Sequence, residues 1–358
     1  MKRQEKAFER RSAADGFSPR LQLASGMWTS NEVGSLAGLQ YSGSPSVFMT
    51  PDFIIGGAPK CGTTSLHQIL DQHPEAWVAK NELYFFDVDD PIAHGDFLEM
   101  DGSDLSWRDP RDPAVRDFYE NRFAEAPQGC LIGEDTTTYL MSDVAAFRIQ
   151  ATDPKVKVIF MLRDPVKRAF SQYWHLLRSG RTCQSFEKAL SNEPSIILGS
   201  TYAPRLRSFY DALGPARVHV VLFEEFKSDQ QSVMNGVTEF LGLSPMSVET
   251  VETWHNRTKY PARAETLLRL NRVGRILVRH RYARHFKGNV PLSSRIAHKA
   301  YRRWFRFISR RVLTEDHPPS DMRAKTRAYL CQHLSDRNAG LSKLLGKDLS
   351  QHWPGFSQ

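Results

Sequence analysis

Gly56-Gly57-Ala58-Pro59-Lys60-Cys61-Gly62-Thr63-Thr64-Ser65 is the stretch whose reading decides the fold. It follows a short apolar run, Asp52–Gly57 (DFIIGG). It precedes Thr63–Gln72, where Leu66, Ile69 and Leu70 recur at helical spacing. A strand, a glycine-rich turn and a helix start predict an anion site, because loop amides and a helix N-terminus turn their N–H groups toward phosphate oxygens. The Walker A pattern places Lys directly after the last Gly. Here Thr63 stands in that place, and the lysine has moved back into the loop as Lys60. No apolar strand ending in a lone Asp reads as a partner for Mg²⁺. An anion site without Mg-ATP hydrolysis is the expectation, with a purely structural turn as the bland alternative.

Working outward, Val156–Leu162 (VKVIFML) reads as a second apolar strand and Arg217–Phe223 (RVHVVLF) as a third. Pro165–Ser179 reads as a helix with Pro at its first position and Phe170, Tyr173, Trp174 and Leu177 on one face. Further helices are expected at Ser228–Leu241, within 262–311 and at Ser320–Leu345. Strands alternating with helices argue for an α/β fold, a parallel sheet flanked by helices on both faces. Residues 1–50, rich in Ser, Gly and charge, read as a poorly ordered N-terminal segment. Residues 51–358 read as a single domain that includes 262–311 as a basic helical insertion.

Composition narrows the class. Hydrophobic residues make up 41% of the 358 and charged residues 25%, as expected for a globular chain. The longest apolar runs are strand-length and far short of the ~20 residues of a membrane span. Cys61, Cys130, Cys183 and Cys331 are too scattered for a zinc knuckle, a redox pair or a disulfide framework. The twelve histidines show no metal-ligand spacing, so no metal is assigned. Met1–Gly16 is charged and lacks the apolar stretch of a secretory signal. A cytoplasmic setting is expected, with peripheral contact at the inner face of a membrane left open.

The net charge of +8 is unevenly spread. From His255 to Arg311 there are seventeen Lys and Arg and one acid, Glu265. Asp87 to Asp117 holds ten acids against Arg108, Arg111 and Arg116. A basic lobe on an acidic body suggests an anionic partner, either an anionic membrane or a polyanionic glycan. A solvated face is the bland alternative, as is a core role for Trp304, Phe305, Phe307 and Ile308 with only arginines exposed. No groove-reading or single-strand motif supports specific nucleic-acid binding.

Lys60-Cys61-Gly62-Thr63-Thr64-Ser65 resembles the 5′-phosphosulfate loop of sulfotransferases that use 3′-phosphoadenosine 5′-phosphosulfate. About 100 residues on, Val158-Ile159-Phe160-Met161-Leu162-Arg163-Asp164-Pro165-Val166-Lys167-Arg168-Ala169-Phe170-Ser171 is similar to that family's 3′-phosphate motif. There an Arg at a strand end and a Ser eight residues later hold the 3′-phosphate, which here implies Arg163 and Ser171. His73-Pro74-Glu75 and Lys80-Asn81-Glu82-Leu83-Tyr84-Phe85-Phe86-Asp87 look like the segment after the loop in carbohydrate sulfotransferases of the heparan sulfate type. Gly133-Glu134-Asp135-Thr136-Thr137-Thr138-Tyr139-Leu140 is similar to a substrate-side stretch, with Asp135 where the family often has Lys. Phe240-Leu241-Gly242-Leu243 and Asn256-Arg257-Thr258-Lys259-Tyr260 resemble later landmarks. The match covers roughly 51–261, with a faint echo at 320–353.

The resemblance implies a P-loop NTPase-like fold and a sulfotransferase with Glu82 as general base and Lys60 as leaving-group stabiliser. It implies that Lys60, Cys61, Gly62, Thr63, Thr64, Ser65, Arg163, Ser171 and Lys259 bind the donor 3′-phosphoadenosine 5′-phosphosulfate without a metal. The implied acceptor is a hydroxyl or amine on a carbohydrate or glycolipid, or on a small natural product or lipid. The loss of a cation at Asp135 counts against an anionic sugar there. A depressed thiol pKa at Cys61 is the alternative to a small filler residue, and His67 reads as core. Outside this class stand a P-loop kinase and a non-catalytic polyanion binder. Acceptor choice is expected to reside in 87–130 and 180–205.

Overall fold

The structure is a computed structural model that describes residues 50–90, 93–94, 117, 119–248, 259–278 and 292–356. The expectation for 1–49 and the segment Asn256-Arg257-Thr258 lie outside the described residues.

Five parallel strands form the main sheet: β1 Phe53–Gly57, β2 Ala76–Val78, β3 Leu131–Asp135, β4 Lys157–Leu162 and β5 Val218–Leu222, in the order β2-β3-β1-β4-β5. All of β1 and all but the first residue of β4 are buried, since helices cover both faces and leave no room for alternation. Helix α1 (Thr63–Asp71) follows β1, α2 (Ala145–Thr152) precedes β4, and α3 (Pro165–Arg178) follows it. Two short helices, α4 (Phe186–Asn192) and α5 (Pro194–Leu198), lead to α6 (Tyr202–Leu213). The chain runs from β1 outward to β2, back through β3, and then across to β4. That reversal puts a crevice at the carboxyl ends of β1, β3 and β4, where open α/β sheets bind ligands.

Two cores hold the described residues together. The first surrounds the sheet, with Phe53, Ile55, Leu66, Phe160, Leu206 and Phe209 among its members. The second lies under α3 and joins Tyr173, Trp174 and Leu177 to Leu267, Ile308, Leu330 and Leu334 from later in the chain. The α/β fold and its basic helical insertion follow the sequence expectation.

Several boundaries correct it. The helix expected at Ser228–Leu241 is two, α7 (Phe223–Ser228) and α8 (Gln230–Leu241). Asp229 separates them, because its side chain accepts the Ser232 N–H at 2.9 Å as an N-cap. The helix expected at Ser320–Leu345 is also two, α11 (Ala324–Arg337) and α12 (Leu341–Leu345). The buried Asn338 interrupts it by bonding the Tyr202 and Ala203 N–H groups at 2.6 and 3.1 Å. β2 and β3 carry no strand signal in the sequence: one is three residues long and the other (LIGED) ends in two acids.

The insertion has two described helices, α9 (Ala264–Val278) and α10 (Leu292–Arg311). A short antiparallel ribbon, β6 (Tyr260–Pro261) with β7 (Leu313–Glu315), ties its entry to its exit. Asn271 of α9 donates to the Leu177 and Thr182 carbonyls at 2.6 and 2.9 Å, fixing the pair to the end of α3.

Candidate active site

The loop after β1 is held open by its neighbours. Gly57 has φ +130, and a Cβ there would lie 2.3 Å from the Thr137 carbonyl oxygen. Gly62 has φ +94 and sits against the Phe223 ring, where a Cβ would come within 2.8 Å. Both positions therefore need glycine. The Ala58 N–H donates to the Met161 carbonyl at 2.9 Å. Buried Arg168 donates from Nε to the Pro59 carbonyl at 3.0 Å and from Nη1 to the Ser195 and Ile196 carbonyls. The loop thus hangs from α3 by a guanidinium, and the first turn of α1 leaves its opening N–H groups without intrahelical acceptors.

The loop floors a cleft of about 600 Å³ lined by Lys60, Gly62, Thr63, Thr64, Ser65, Glu82, Arg163 and Ser171 among others. Cations crowd one end. Burial, with Arg178, Arg163 and Arg168 nearby, pulls the Lys60 ammonium down from 10.5 to about 8. Arg163 lies over the Phe223 ring at 4.9 Å and donates to the Lys60 carbonyl at 3.4 Å. Its buried Nε has no hydrogen-bond partner among the described residues. An orphaned guanidinium N–H and a lysine suppressed first by burial and then by neighbouring cations describe a site short of negative charge, which fits a phosphate-bearing ligand. Asp164 takes no part in the cleft. It caps α3, accepting the Val166 and Lys167 N–H groups at 2.9 and 3.1 Å.

The other end is acidic. Glu82, in the loop after β2, accepts the Thr137 N–H at 3.0 Å, the Thr137 hydroxyl and the Tyr84 hydroxyl. Asp135 closes β3, and its Oδ2 lies 2.9 Å from Nδ1 of His67 on α1. Burial raises the Asp135 pKa, the His67 hydrogen bond opposes this, and the Glu82 charge adds to the rise.

Beneath them, buried Glu134 accepts hydroxyl bonds from Tyr119, Tyr139 and Thr136, and burial still pushes it up to about 7. The Thr136 and Tyr139 hydroxyl oxygens in turn accept the N–H groups of Leu83, Tyr84, Phe85 and Phe86. One carboxylate under the floor therefore orients the segment that carries Glu82.

The cleft gathers most of the residues expected from the sequence: Lys60, Gly62, Thr63, Thr64, Ser65, Glu82, Arg163 and Ser171. Two fall outside its lining. Cys61 is fully buried, its Sγ lies 3.9 Å from the Tyr202 hydroxyl, and its N–H donates to the Ala58 carbonyl. Burial raises its thiol to about 11, so it fills space and is not activated. Lys259 is ion-paired with Asp316 at 2.7 Å. His67, read as core, instead lines the cleft; β3 ends in two acids, Glu134 and Asp135, of which Asp135 also lines it. His175, Arg178 and Arg181 also line it and had not been singled out. Ser171, His175 and Arg178 stand at i, i+4 and i+7, so a face analysis of α3 anchored on Ser171 would have found the latter two.

A model of the sulfotransferase family matches residues 51–247. Over 235 residues the chain is 27% identical to heparan sulfate glucosamine 3-O-sulfotransferase 3A1 of Mus musculus, with 63% of this chain and 53% of that protein covered. Over 154 residues it is 30% identical to membrane-associated sulfotransferase kil1 of Dictyostelium discoideum, with 41% of this chain and 29% of that protein covered. The chain spans about half the length of the first of these relatives. Among solved structures, a sulfotransferase from Alicyclobacillus acidocaldarius shares the fold, with TM-score 0.55 and 24% identity over 85% of this chain and 98% of that one.

Proposed function

The chain belongs to the sulfotransferase family, and from that premise we propose that it moves a sulfuryl group from 3′-phosphoadenosine 5′-phosphosulfate to an acceptor hydroxyl or amine. The observation that carries this reading is the meeting, in one cleft, of the Lys60 loop, the Arg163–Ser171 pair and Glu82. The bound donor would supply the activated sulfuryl group and a bisphosphate leaving group. The loop amides with Thr63 and Thr64 hold the 5′ end, and Arg163 with Ser171 holds the 3′-phosphate. Lys60 offsets charge on the departing oxygen, work that positioned cations perform in related phosphoryl transfers. Glu82, aimed by Thr137 and Tyr84, takes the proton that the acceptor loses.

A sugar hydroxyl is the acceptor we favour, since one relative is named for a heparan sulfate glucosamine. Glu82 and Asp135 together make this end acidic, so an uncharged sugar suits it better than an anionic one. A lipid or small natural-product hydroxyl would meet the same chemistry. A kinase reading draws on Asp135, which ends the strand beside β1.

A thermal-shift titration separates these readings, because a ligand that binds only the native state raises its stability with ln(1 + [L]/Kd). Adenosine 3′,5′-bisphosphate should stabilise the chain more than ATP-Mg or adenosine 5′-monophosphate, and Arg163→Ala should abolish the difference. A shift with ATP-Mg and none with the bisphosphate would replace the sulfotransferase reading by the kinase one. Transfer of labelled sulfate to a panel of neutral and anionic sugars then tests the acceptor.

A further inference from the structure

Helix α10 turns an unusual face to solvent. Five large apolar side chains are well exposed among the described residues, and three of them, Leu292 (71%), Ile296 (60%) and Phe307 (53%), belong to this helix. With Lys299, Arg303 and Arg310 they fall at spacings of three and four, which places them on one stripe. Arg295 and Arg306 flank the stripe, and the helix contains no acid. None of these cations meets a carboxylate within salt-bridge distance among the described residues. The core contacts are made by the opposite side. Ile308 is fully buried and Trp304 lies over Gly274 and Gly180, where a Cβ would come within 2.3 and 2.6 Å of its ring. The outward side chains are therefore not needed to attach the helix.

We infer that this face of α10 is a docking surface for an anionic lipid bilayer. The mixture of side chains selects that partner. A polyanionic glycan would use the cations but leave Leu292, Ile296 and Phe307 in water. A second copy of the chain would bring the same cations together. An anionic bilayer accepts both, with the apolar side chains entering the headgroup boundary and the cations meeting lipid phosphates. The site lies close to the chemistry by connection, because Asn271 and Trp304 fix the α9–α10 pair to the end of α3 that supplies His175 and Arg178 to the cleft.

Flotation of the full chain with vesicles tests the inference without reference to catalysis. Binding is expected to phosphatidylcholine vesicles carrying ~30% phosphatidylglycerol and not to phosphatidylcholine alone, and it should weaken as salt shortens the screening length. The pair Ile296→Ser and Phe307→Ser should lower partitioning ~10-fold at unchanged Tm, and Arg303→Glu with Arg306→Glu should do the same. No binding to the anionic vesicles overturns the inference. So does binding that survives both pairs of substitutions. Heparin retention lost in the arginine pair, without vesicle binding, would assign the face to a polyanionic glycan. Concentration-dependent self-association abolished by the apolar pair, again without vesicle binding, would assign it to a second copy.

Discussion

At the cationic end of the cleft, Lys60, Arg163 and Ser171 come from two short stretches of chain, each a strand end running into a helix. At the acidic end, Glu82, Asp135 and His67 come from three places: a loop after β2, the end of β3 and the middle of α1. The first end is a local device, because a strand, a turn and a helix start bind an anion wherever they occur. The second exists only when the sheet is assembled, and its aim depends on Glu134, which touches neither end. The difference teaches how each end is supported: the cationic end hangs from Arg168, on the same helix as Ser171, and the acidic end rests on Glu134 from below.

The largest effect is expected at Glu82. Glu82→Gln should lower turnover by ~10²–10⁴ while leaving the bisphosphate thermal shift intact, and loss of that shift would show that the two ends are not separable. Lys60→Ala should cost ~10²–10³ in rate and also weaken bisphosphate binding, measured by the same titration. Full turnover in this variant would move the leaving-group role elsewhere. Arg168→Met strips three loop and helix carbonyls of a donor, so a stability loss of ~1–3 kcal/mol is expected in denaturant titration. It should be accompanied by weaker bisphosphate binding and an unaltered environment at Glu82.

The smallest effect is one of pH. Empty, Lys60 loses its proton as pH rises through about 8. A bound phosphate would hold it charged, so binding takes up a proton near pH 8. Affinity should fall by about 10-fold between pH 7 and pH 9 through this linkage. Calorimetry in two buffers of different ionisation heat reads the uptake directly, and equal heats in both would place the suppressed lysine outside the binding site.

The same contrast governs what could be read from the chain. β1, β4 and β5 were legible because buried parallel strands are continuous apolar runs. β3 was not, because its last two residues, Glu134 and Asp135, serve the site and its support and make it read as polar. The loop at 56–65 and the Arg163–Ser171 spacing were legible because their chemistry is local. His67 was misplaced because its partner lies 68 positions away in the sequence. Lys259, expected from its motif to touch the donor, lies outside the cleft lining, and its charge is met by Asp316. The break at Asn338 was invisible because its side-chain partners belong to α6.

That break matters to anyone who would trim the protein. Asn338 grips the start of α6, the Tyr202 hydroxyl on α6 donates to the Arg163 carbonyl at 2.9 Å, and the Trp353 indole N–H donates to Glu224, which also accepts the Asp164 N–H. The family match stops at 247, but the scaffolding of Arg163 runs on past residue 350. A minimal version cut at the matched boundary would keep every residue lining the cleft and discard the braces behind one of them.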